Sequence, residues 1–192
     1  MESRMSLNNL VVPTFRQMLG TLSGWLDKAQ GHLPAAEADA LLAARLAPDM
    51  FPLSTQIRFA CVQVHEGVHR LKGEHFPAAL AVLLDEGRDA GEAPGTLAQA
   101  KARIAEALAL LDGLGADALD AEADAPIAHA LPNGMIFDLT AEQYVRDWLL
   151  PQFYFHLMTA YAILRGAGVP LGKADYVAHM FPYLRPGTLP SS

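Results

Sequence analysis

Residues 65–75 read His-Glu-Gly-Val-His-Arg-Leu-Lys-Gly-Glu-His and contain the residue types of a hydrolytic zinc site. His65 and His69 stand four apart, a spacing that puts two imidazoles on one helical face, with Glu66 placed to polarise a metal-bound water. His75 falls where a third ligand could complete the set and leave a fourth position open. Two other positions invite chemistry. In Gln152-Phe-Tyr-Phe-His156, the imidazole has an amide one helical turn before it, and a buried imidazole needs partners for both nitrogens. Core partners within reach in sequence are Tyr154, Thr159 and Tyr161; binding a ligand or a metal are the alternatives. Cys61 is the single cysteine. No basic neighbour in sequence gives a reason for a lowered thiol pKa, so it reads as a small apolar filler.

The helix that carries the 65–75 motif decides how it is read. Leu53, Ile57, Ala60, Cys61, Val64, Val68 and Leu71 recur at three and four, and Gly73 ends the pattern. At about 100° per residue this stripe centres near ~30°, with His65 near ~120°, His69 near ~160° and Glu66 near ~220°. The paired histidines then face solvent, Glu66 points away from the core, and no cleft is expected there. Lys72 stands where the longer protease pattern has glycine, and no flanking sheet is in prospect. Solvated surface residues are the expectation. A zinc protease built on His65, Glu66 and His69, or an incidental surface metal site, are the alternatives.

The remaining elements are mostly helical. A long helix begins near Ser6, with Leu7, Leu10, Val11, Phe15, Met18, Leu19, Leu22, Trp25 and Leu26 on one face; Pro13 predicts a kink or a later start. An Ala-rich helix is expected over about 34–46, with Asp49 capping the helix that follows. After a weak helix over about 77–84 comes a loop through Gly95. Thr96 and Gln99 form a capping box before a helix that closes near Gly113. Pro132-Asn133-Gly134 reads as the turn of a small β-hairpin within 126–139. Thr140 and Gln143 cap the last long helix, which should kink at Pro151 and stop at Gly166. On that helix Leu149, Phe153, His156, Ala160, Ile163 and Leu164 share one face, which turns His156 into the bundle.

Composition narrows the partners. With 192 residues, 52% hydrophobic and 18% charged, the chain has material for one large core; one domain over 1–181 is expected, with a loosely ordered tail over 182–192. A net charge of −7 argues against a nucleic-acid partner. No apolar run is long enough to span a bilayer. The lone cysteine and the lack of a secretory leader favour the cytoplasm.

Three stretches resemble a bacterial and fungal family, domain of unknown function nineteen ninety-three. They are Val12-Pro-Thr-Phe-Arg-Gln-Met-Leu19 with Leu26-Asp-Lys28, Leu46-Ala-Pro-Asp-Met-Phe-Pro-Leu53 with Gln56-Ile57, and Leu150-Pro-Gln-Phe-Tyr-Phe-His156 through Arg165 to Gly168-Val-Pro-Leu-Gly-Lys173. That family is similar to the DinB/YfiT-like superfamily. The resemblance implies an all-α four-helix bundle, up-down-down-up, with a short extra helix and a hairpin before the last long helix. It also implies a central site where many members hold a divalent metal by three histidines and some act as transferases or hydrolases. Matched on the last helix, His156 takes one ligand position and Gln152 the other; the second long helix offers Gln56, Ala60, Cys61 and Val64, without histidine. The expected site is therefore a degenerate, metal-free pocket of Gln152, His156, Cys61, Gln56 and Tyr161 that binds a small molecule, with no cofactor. A metal-dependent transferase or hydrolase is the rival reading, and a homodimer that pairs exposed helix faces is a further one.

Overall fold

The computed structural model describes residues 6–188. Four long helices carry the fold: α1 (Leu7–His32), α3 (Leu53–Leu71), α5 (Leu97–Asp112) and α7 (Leu150–Gly166). Two shorter helices, α2 (Ala35–Ala40) and α4 (Ala78–Asp89), fall between them, and α8 (Lys173–Tyr176) follows α7. A two-stranded antiparallel sheet, β1 (Ile127–Ala130) and β2 (Ile136–Leu139), pairs Ile127 with Leu139 and Ala130 with Ile136. Gly134 turns the hairpin at φ 88°, a conformation that glycine adopts without a Cβ penalty.

Helix α3 is the axis of the molecule. It packs against α7, α4 and α5, while α1 closes the bundle against α5 and α7. Apolar positions of all four long helices, among them Phe15, Trp25, Ile57, Ile104 and Phe153, form one buried cluster. Because neighbours surround it, α3 buries polar residues as well: Ser54, Thr55, Gln56, Arg58 and Gln63. Each polar group buried here needs a partner. Thr55 Oγ1 donates to the Gly87 carbonyl at 2.8 Å. Arg58 pairs with Glu86 at 3.3 Å, and Glu86 also receives Arg103 of α5, a network that ties α3, α4 and α5 together.

Several local expectations are met and others corrected. Both capping boxes form, Thr96 with Gln99 and Thr140 with Gln143. Helix α1 starts at Leu7 rather than at Pro13. Ser6 caps it, and Asp120 from a distant loop accepts from the Ser6 hydroxyl at 2.6 Å and from Leu7 N at 2.7 Å. The Ala-rich helix stops at Ala40, with one tighter turn over Leu41–Ala43. Asp49 does not cap α3; Pro52 occupies that position. Helix α4 runs to Asp89, five residues past the expected end, because Gly87 lets it settle on Phe59 where any Cβ would clash. Instead of a kink within the last helix, the chain widens into π-helical turns over Tyr144–Leu149, between α6 (Ala141–Gln143) and α7. Pro151 has no N–H to give and its ring crowds the carbonyl four residues back, so the preceding turns open. At the C-terminus, residues 178–183 form a turn of 3₁₀ helix; positions 189–192 of the expected tail lie outside the described residues. None of the described helices is long and apolar enough to cross a membrane.

Candidate functional site

Between α3, α4, the hairpin and the start of α7 lies a cleft of ≈790 Å³. Helix α3 contributes Phe59, Val62, Gln63, Glu66 and Arg70; α4 gives Leu84 and Arg88; β1 gives His129. The π-helical turns supply Trp148, and α7 supplies Gln152, Phe155 and His156. Phe51, which precedes α3, is also on the wall.

His156 is held by its neighbours in one tautomer. Its Nδ1 lies 2.9 Å from Gln56 Oε1. The Gln56 amide is oriented in turn, since its Nε2 donates to the Phe51 carbonyl at 3.2 Å. An acceptor at Oε1 requires the proton on Nδ1, which leaves the lone pair on Nε2. Phe59 meets the ring edge-on with centroids 5.4 Å apart. Burial pushes the His156 pKa down to about 4, so the ring is neutral at physiological pH. The partner expected among Tyr154, Thr159 and Tyr161 is instead Gln56, from α3. Thr159 is occupied with the Phe155 carbonyl.

A second histidine belongs to the site. His129 is 3% exposed, lines the cleft, and has neither ring nitrogen hydrogen-bonded. It packs on Trp148 at 4.4 Å and on Tyr144 at 5.6 Å between centroids. Burial, with Arg70 nearby, brings its pKa to about 4. Sequence reasoning read the hairpin but passed over this residue. The available signal was the two-residue period of β1, where Ile127 and His129 point in while Ala128 and Ala130 point out.

The 65–75 motif comes apart in three dimensions. Glu66 lines the cleft with His156 and does not face away from the protein, which corrects the helical-wheel expectation. Burial raises its carboxyl pKa against the pull of Arg70 and Arg88. His65 and His69 are part-buried rather than fully solvated. His69 Nδ1 donates to the His65 carbonyl at 2.8 Å, and His65 is under the electrostatic influence of Glu106 and Arg103 on α5. The exposed His75 lies in a shallow recess beside Gly73 and Phe76. Among the described residues, no group of three or more His, Cys, Asp or Glu side chains is placed to hold a metal ion.

Of the five residues expected in the pocket, the cleft brings together Gln152 and His156, with Gln56 behind them. Cys61 is fully buried in the core, where burial pushes its thiol up to about 12; that makes it inert as a nucleophile. Tyr161 packs edge-on against Trp25 at 5.2 Å, toward α1. Neither lines the cleft.

The model of the family described as domain of unknown function DUF1993 matches residues 7–177. The chain belongs to this family. Among solved structures, a DinB family member from Shewanella denitrificans is 32% identical over 96% of both chains, with a TM-score of 0.72. DUF1993 is thus placed within the DinB-like fold. No curated protein matches the chain. The three-histidine metal site implied by the superfamily resemblance can be tested on the donors present. His156 is the one imidazole at those positions, Gln152 replaces the other on α7, and Gln56 Oε1 is committed to His156 Nδ1. One imidazole and a neutral amide compete poorly for a divalent transition metal. The residues of this DUF1993 chain do not fit that group.

Proposed function

We propose that this protein is a small-molecule-binding member of the DinB-like fold, with His156 as the polar anchor of the cleft. The observation that carries this reading is the His156–Gln56 pair: one ring nitrogen is satisfied and the other is left as an acceptor on the wall of a large, mostly apolar cleft. A neutral imidazole with a fixed tautomer accepts a hydrogen bond without carrying charge. Phe51, Phe59, Phe155 and Trp148 offer aromatic surface for the body of a ligand, as in sites where apolar walls supply affinity and a few polar groups supply orientation. The setting we propose is the cytoplasm, on the grounds of the lone cysteine.

Thermal-shift screening of aromatic alcohols, amides and acids, followed by calorimetric titration of the hits, tests the proposal. Hits should bind His156→Ala about five- to tenfold more weakly, the range for one lost hydrogen bond. Hits that bind His156→Ala as tightly as wild type, or the absence of any hit, would remove the basis for it.

A further inference from the structure

The inner end of the cleft is rich in buried donors and short of acceptors. Among the described residues, the Trp148 Nε1–H, the Tyr144 hydroxyl and Arg70 Nε are buried without a hydrogen-bond partner, as are both nitrogens of His129, one a donor and one an acceptor in the neutral ring. Burial raises the pKa of Tyr144, and Arg70 next to it acts on the hydroxyl in the opposite sense by charge and by a weak side-chain contact. Gln63 Oε1, on the same cleft wall, is the one unpaired buried carbonyl oxygen there among the described residues. Buried donors left unpaired are destabilising, and an incoming acceptor would relieve them.

Charge points the same way. On a molecule of net charge −7, the cleft is lined by Arg70 and Arg88 against one acid, Glu66. Arg88 is exposed and paired with Asp85 at 3.3 Å. Arg70 has no ion pair among the described residues, although Glu66 stands one turn before it. Its guanidinium is held over the Phe76 ring at 4.8 Å, with the Tyr144 ring at 6.0 Å. A planar fork placed in this way suits a carboxylate.

Building on the small-molecule reading above, we infer that the ligand carries a carboxylate, bound by Arg70, with an apolar body against Phe59, Leu84 and Phe155. His129 and Trp148 flank the head group, with Tyr144 packed behind His129, and His156 lies farther along the same cleft.

Three probes with one ring system test this: naphthylacetate, naphthylacetamide and naphthylethylamine, titrated calorimetrically into the full chain. The carboxylate should bind at least about tenfold more tightly than the amide, as expected for a charge-assisted pair, and the amine most weakly. In Arg70→Met the carboxylate-to-amide ratio should fall to near one. Arg70→Lys, which retains the stem against Phe76 and the charge but not the fork, should lose several-fold of that ratio and serves if the Met variant does not fold. Equal binding of acid and amide overturns this inference and leaves the cleft reading intact. A preference that survives both substitutions overturns the assignment to Arg70. Failure of all three probes to bind overturns both readings together.

Discussion

At the scale of single residues, the site depends on which nitrogen of an imidazole is left free. Gln56 sets that choice for His156, and the Phe51 carbonyl sets the amide. Gln56→Leu should therefore weaken ligand binding a few-fold through His156 without touching the ligand, because the tautomer is no longer fixed. Gln56→Glu should act differently: a carboxylate at Nδ1 stabilises the imidazolium, so the His156 pKa should rise from about 4 toward neutrality. Histidine C–H shifts followed by NMR against pH would report that rise, and an unchanged titration would show that Gln56 does not govern the ring. The His156–Gln56 pair was half legible in the sequence. Both residues stood at inward helical positions, but two periodic patterns a hundred residues apart carry no information on which side chains meet.

At the scale of elements, the cleft depends on one irregular junction. The π-helical turns before Pro151 set the rotation of Tyr144 and Trp148 relative to α7. Pro151→Ala restores an N–H and should let these turns tighten toward regular α-helix, moving Trp148 out of its contact with His129; a shift in tryptophan fluorescence would record it. The same junction is held close to α3 by Gly67, where an added Cβ would lie 2.7 Å from Leu149 Cδ2 and 2.8 Å from Cδ1. Gly67→Ala should cost about 1–3 kcal/mol by overpacking, against a gain of up to about 1 kcal/mol in helix propensity. Denaturant unfolding would show a net loss, with recovery in the Gly67→Ala/Leu149→Val double variant; a more stable Gly67→Ala would mean that the packing there is loose. Sequence marked Pro151 as a disturbance but gave no hint of its form, since a kink, a break and a widened turn all answer the same missing hydrogen bond.

At the scale of the whole molecule, the two buried histidines link the cleft to acid stability. His129 and His156 have folded-state pKa values near 4, against 6.5 when unperturbed. The unfolded chain therefore takes up their protons first as pH falls. Stability is unaffected by either group above about 6.5, declines between 6.5 and 4, and has lost the full amount below 4. Each contributes about 3 kcal/mol to the full decline. Urea unfolding at pH 7 and at pH 4.5 should reveal it, and His129→Phe should remove roughly 2 kcal/mol of the difference. The same substitution should raise stability at pH 7, because it replaces a ring with two unpaired nitrogens by an apolar one, while it weakens carboxylate binding. A pH dependence identical to wild type in His129→Phe would show that this histidine is hydrated in solution.

By itself, the sequence determined the long helices, the two capping boxes, the hairpin turn and the family, because these follow from periods and short-range hydrogen bonds between residues close in the chain. It also placed His156 and Gln152 one turn apart on the same helix. What only the tertiary structure decided is which faces are covered. A helical wheel locates the average apolar direction of α3, and from that average Glu66 belonged in water. The folded chain surrounds α3 with α7, α4 and α5, and the hairpin and the π-helical turns complete the wall of the cleft on which Glu66 lies. That arrangement makes a cleft out of Glu66, Arg70, His129 and His156, residues whose meeting depends on packing between elements rather than on spacing within one.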